Sequence, residues 1–121
     1  MGHAMRQRLF LLLLASVVGT GCSATTEPSA FYDYASAITY YTNRHDAEKM
    51  IPYSTAIAGV LYYPKTRRRV FIVYFTSSPE RGYIHEGLEA ATWDAWKAAN
   101  SKGRFYDQVI RGRYAFRLGA P

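Results

Sequence analysis

With one cysteine in 121 residues, no internal disulfide can form, and folding has to proceed without a covalent staple. Long apolar runs are also missing. The run LFLLLLASVV at residues 9–18 has ten residues, against the roughly 20 a membrane-spanning helix needs. No Gly-x-Ser-x-Gly elbow marks a serine nucleophile. No cysteine and histidine spacing offers the three or more protein ligands of a zinc site. The histidine–carboxylate clusters are His45-Asp46-Ala47-Glu48 and His85-Glu86-Gly87-Leu88-Glu89. In the second, Glu89 stands where a His-Glu-x-x-His motif needs its second metal-binding histidine. Neither catalysis nor a metal nor a cofactor is expected.

Aromatic residues are abundant: eleven tyrosines, six phenylalanines and two tryptophans. Each large aromatic buries roughly 150–250 Å², so a short chain can build a core from few of them. The length allows one domain. A hydrophobic content of 49% against 20% charged argues for a packed globule over a disordered chain.

Arg6 and Arg8 precede the apolar run, and small residues follow it, the order of an export signal. The residues VGTGC resemble the lipobox of bacterial lipoproteins, in which the cysteine is lipidated and becomes the mature N-terminus. Gly21 fits that pattern, and Gly19 stands where leucine is usual. The expected division is a signal peptide over 1–21, then a lipidated Cys22 with a tether over 22–30. The tether includes SATTEP, small and polar with a proline. Cleavage would remove Arg6 and Arg8, taking the formal charge from +6 to +4. The chain is then expected in the bacterial cell envelope, lipid-anchored at the outer membrane or at the periplasmic face of a membrane.

Phe31, Tyr34, Ile38 and Tyr41 recur at helical spacing with Ala35 beside them, and Ser29 is a candidate N-cap. This predicts an N-terminal amphipathic helix over 31–50, followed by a second unit over 51–121. AIAGVLYY (56–63) and RVFIVYF (69–75) read as a β-hairpin, with Lys65, Arg67, Arg68 and Arg69 as a solvated basic tip. TSSPERG (76–82) is a turn and GYIHEG (82–87) a third strand. A helix over 88–100 pairs Trp93 with Trp96 at i,i+3, and Gly103 is a candidate left-handed stop. RYAFRL (113–118) closes the order as a strand. The fold class is α+β: a small antiparallel sheet of three to four strands packed against a helix, with the extra N-terminal amphipathic helix.

Residues 54–117 resemble the KTSC domain. Ser54, Thr55 and Ile57 match its opening, and Tyr62 its first strand end. Tyr83, Gly87 and Leu88 match its centre, and Trp93, Trp96 and Ala99 its helix. Ser101, Lys102 and Gly103 then lead to Phe105, Tyr106, Ile110, Arg111, Tyr114 and Phe116. His85 departs from the pattern, standing where a tyrosine is usual. The family is of undetermined function, and its synthetase context suggests RNA binding. The resemblance implies a binding module whose surface would use Tyr83, His85, Lys102, Arg104, Tyr106, Arg111, Arg113 and Tyr114. On an exported chain the partner would be an envelope protein or polymer, with the membrane reached through the lipid. Phage-associated single-domain relatives imply a prophage-encoded lipoprotein as a narrower form. The alternative, a nucleic-acid-binding KTSC protein, requires that the chain not be exported.

Overall fold

The computed structural model describes residues 26–120. The expected signal peptide, Cys22 and the start of the tether lie outside them. Within them the fold is α+β, a four-stranded antiparallel sheet with three helices. In chain order these are helix α1 (Tyr34–Thr42), strands β1 (Glu48–Met50), β2 (Ile57–Tyr63), β3 (Val70–Phe75) and β4 (Ser78–His85), then helices α2 (Ala90–Ala98) and α3 (Lys102–Phe105). A π-helical turn over Tyr106–Ile110 continues directly from α3. The strands lie side by side in sequence order, β1-β2-β3-β4.

The central strand β3 is apolar on both sides, which decides the layering. Phe71 and Val73 face one side, where they join Val60, Tyr62, Leu88, Trp93 and Trp96. Val70 and Ile72 face the other, with Tyr63, Ile84, Ala37 and Tyr41. A sheet apolar on both faces has to be covered on both. Helices α2 and α3 and the π-turn cover the first face; α1, Phe31 and Phe116 cover the second. The register of β2 slips between Ile57 and Gly59, a bulge that turns Ile57 to the same face as Val60 and Tyr62.

The first layer is an aromatic stack. Trp93 and Trp96 lie parallel with ring centres 5.6 Å apart, Tyr62 stacks on Trp93 at 5.0 Å, and Phe71 meets both indoles edge-on at 6.0 Å. Their polar atoms are satisfied. The Trp93 indole donates to Glu48 on β1 at 2.7 Å, and Tyr62 donates to the Leu88 carbonyl at 2.6 Å. Both tryptophans are buried, as the i,i+3 spacing predicts.

Several local expectations are corrected. The N-terminal helix runs from 34 to 42, not 31 to 50, and its cap is Asp33, whose carboxylate accepts from the Ser36 amide at 2.8 Å. Ser29 does not cap it. Glu48–Met50 pairs with Val60–Tyr62 as an edge strand, so tertiary pairing overrides any helical extension. The turn after β3 is tighter than 76–82, and β4 starts at Ser78 with Pro79 inside it. Proline is tolerated there because β4 is an edge. Gly103 is helical, and a Cβ there would lie 3.3 Å from that of Ala56, so close approach explains the glycine. RYAFRL forms no strand. Its one ladder contact is the bridge between Ala115 and His85, and beyond it the Arg117 and Leu118 carbonyls accept from Arg68 and the Phe31 amide.

Trp93→Ala is expected to cost about 3–5 kcal/mol as a large-to-small core change. Urea denaturation measures it, and a loss below about 1 kcal/mol would contradict the stacked core described above.

Candidate functional site

The turn joining β2 to β3 is not simply a solvated tip. Lys65, Arg67 and Arg69 are exposed, but Arg68 is enclosed, its side chain 1% accessible. The guanidinium donates to Glu86 at 3.1 Å, to the Ser29 carbonyl at 2.6 Å, to the Gly119 carbonyl at 2.9 Å and to the Arg117 carbonyl. It also lies 5.3 Å from the ring centres of both Phe31 and Phe116. A planar fork with five donors suits such a set of acceptors. Its Nε is buried with no partner among the described residues.

Glu27 pins the same turn from the N-terminal side. Its carboxylate accepts the Arg67 amide and, at 2.6 Å, the Tyr41 hydroxyl. Burial, and then that carboxylate, push the Tyr41 phenol well above its ordinary value. The Phe31 amide donates to the Leu118 carbonyl at 2.8 Å. Of the residues 22–30 expected as a tether, Glu27 and Ser29 are bonded to the globule.

A cleft of about 570 Å³ opens beside this turn. Arg67, Arg68, Arg69, Arg113 and Arg117 line it, with Glu86, Gly87, Tyr114 and Ala115. Glu86 is its single carboxylate, bonded to Arg68, to the Arg117 amide at 3.2 Å, and 3.8 Å from the Arg117 guanidinium. A second cleft of about 610 Å³, more apolar, runs past the end of α1 over Leu61, Tyr63 and Tyr74.

The expected binding surface comes together only in part: His85 meets Tyr106 and Tyr114, and Arg111 lies 5.6 Å over the Tyr106 ring, while the other residues lie apart. Of its residues, only Arg113 and Tyr114 border the arginine cleft. Arg104 and Arg111 are exposed, Arg111 lying 3.3 Å from Asp107. Tyr83 is half-buried against Phe75. Lys102 lies over the Trp96 ring at 5.8 Å and donates to the Ala99 carbonyl at 2.6 Å. Tyr106 and His85 are buried and cannot present ring faces to a ligand.

His85 is a core histidine with both nitrogens bonded. Nδ1 lies 3.2 Å from the Tyr114 carbonyl, which can only accept, so Nδ1 carries the proton. Nε2 then accepts from the Tyr106 hydroxyl at 2.9 Å. Burial, the larger cause, lowers the imidazole below its ordinary value and keeps it neutral. The other carboxylates of the two histidine clusters are also in use. Asp46 holds Arg44 at 2.6 Å, Glu48 holds Trp93, and Glu89 accepts from Tyr114 at 2.9 Å. Among the described residues no group of three His, Cys, Asp or Glu could hold a metal.

The sequence profile of the KTSC domain matches residues 53–114, just over half of the chain. The chain belongs to the KTSC family. The fold is similar to the crystal structure of a KTSC domain protein from Yersinia pestis, at 26% identity and a TM-score of 0.51. That match covers 60% of this chain and 99% of the other. No curated protein matches the sequence.

The KTSC signature residues do architectural work in this chain. The Ser54 hydroxyl accepts the Ala56 and Ile57 amides at 3.2 Å, closing the turn into β2. Ser101 caps α3 through the Arg104 amide at 3.2 Å, and Lys102 closes the end of α2. Arg67, Arg68, Arg69, Glu86 and Arg117 were not among the residues expected to form a site. The signal for them was three consecutive arginines entering a strand apolar on both faces, where not all three can stay in water.

Two outcomes follow for this region. Arg68→Ala should cost about 3–5 kcal/mol in urea denaturation, as for a broken buried charge pair. Arg68→Lys should fail to restore it, since a point charge cannot reach all four acceptors. For His85, the lowered imidazole means that the unfolded chain binds the extra proton. Its contribution is therefore complete above the ordinary imidazole value and is lost as pH falls through the lowered one. Stability should fall as pH drops below the ordinary imidazole value of about 6.5, and His85→Gln, which does not titrate, should flatten that slope.

Proposed function

We propose that this KTSC protein is a non-catalytic binding module, exported to the bacterial cell envelope and held there by lipid on Cys22. The observation that carries the reading is the position of Cys22 relative to the folded part. It ends an export-type segment and stands five positions before Glu27, whose carboxylate is bonded to the globule. Five extended residues span about 17 Å, so an acyl group on Cys22 would hold the domain against the bilayer surface. The engagement of Asp46, Glu48, His85, Glu86 and Glu89 in structural bonds supports a binding role over acid–base chemistry. The partner under this reading is an envelope component met at the membrane surface.

The nucleic-acid reading draws on the arginine-lined cleft and on Tyr114 at its border. It holds only for a chain that stays in the cytosol.

Expression with labelled palmitate separates the two. The wild type should take up label and fractionate with membranes, and Cys22→Ala should do neither. A wild-type chain that is unlabelled, cytosolic and retained on RNA would replace the anchored module with the nucleic-acid reading.

A further inference from the structure

The arginine cleft is lined by more positive charge than its one lining carboxylate offsets. Glu86 is committed to Arg68 and Arg117. Arg67, Arg69 and Arg113 form no ion pair among the described residues. Like charges gathered on one concavity repel each other in the empty fold and attract an anion to it. Arginine is the side chain whose planar fork matches phosphate geometry in a bidentate way.

The backbone points to the same place. Arg69 has φ +48°, in the left-handed region that glycine enters freely and other residues at a cost of about 1 kcal/mol. Its amide donates to the Thr66 carbonyl and its carbonyl accepts the Leu88 amide, each at 3.1 Å, which holds it in that conformation. An arginine where glycine would be relaxed carries a local strain that a use for its side chain would account for. The cleft is also lined by Arg68, whose buried Nε has no partner among the described residues.

We propose that this cleft is a phosphate-binding site. Resting on the anchored reading above, we further infer that the phosphate it takes belongs to an anionic phospholipid headgroup. The Arg67 amide bonds to Glu27, so the cleft lies beside the point where the chain arrives from Cys22. An acylated chain would therefore keep Glu27, and with it the Arg67 end of the cleft, within about 17 Å of Cys22. Acyl anchoring and headgroup binding would together supply the two signals that stable membrane attachment takes.

The full chain, solubilised in non-ionic maltoside micelles, is titrated calorimetrically with dihexanoyl-phosphatidylglycerol, with inorganic phosphate and with a ten-residue oligothymidylate. The lipid is expected to bind about tenfold more tightly than inorganic phosphate. The Arg69→Gly, Arg113→Gln double variant is expected to weaken it by tenfold or more. Arg104→Gln, outside the cleft, should leave affinity unchanged. The double variant should melt at or near the wild-type temperature, so its loss of binding is not a loss of fold. Equal affinity for lipid and inorganic phosphate supports the phosphate site and assigns it to the free anion. Unchanged lipid affinity in the double variant, or tighter binding of the oligonucleotide, overturns the proposal. The titration needs no acyl group, so a chain without palmitate leaves its result standing, and failed titration leaves the palmitate result standing.

Discussion

A guanidinium enclosed at the entrance to β3 ties both ends of the folded chain to the sheet. Arg68 reaches the Ser29 carbonyl on the N-terminal side and the Arg117 and Gly119 carbonyls on the C-terminal side, with Glu86 supplying the opposing charge. Segments 26–33 and 111–120 contain no regular element, so few ladder bonds hold them. Their order comes from this arginine, from the Glu27 carboxylate, and from Phe31 and Phe116, which pack against each other and against the guanidinium. A buried charge is costly unless its donors are met, and here four acceptors meet the two terminal nitrogens, leaving Nε without a partner among the described residues.

The second constraint is a sheet that has no solvent face at its centre. Once β3 is apolar on both sides, α1 and the helices after β4 are both obligatory layers. The helical layer after β4 belongs to the region the KTSC profile matches, whereas α1 precedes that region. This chain thus completes the sheet with residues upstream of its family domain. The layer they add is largely tyrosine, whose hydroxyls also close polar gaps. Tyr34, for example, accepts the Ile84 amide at 2.6 Å and donates to the Gly82 carbonyl at 3.3 Å, blunting the exposed edge of β4.

Much of this was legible in the sequence. The hairpin, the tryptophan pair and the helix bearing it follow from period and propensity, and the family follows from the motifs between Ser54 and Phe116. The end of the first helix was not legible, because Glu48–Met50 becomes a strand only through its partner on β2. Neither were the roles of His85 and Tyr106, which look like ligand-facing residues when aromatics and cations alternate, yet bond to each other in the interior. The candidate site was legible only in part. Arg113 and Tyr114 were expected at a surface, but the arginines they meet lie some forty-five positions earlier in the chain.

By itself, the sequence determined composition-level properties: an aromatic core without an internal disulfide, and the α+β class. These depend on local period and residue type, which are readable one window at a time. Only the tertiary structure decided which charges are buried and which converge. Sequence distance carries no information about a cleft built from a turn, a strand end and a C-terminal tail, and solvation depends on what the rest of the chain packs around each group.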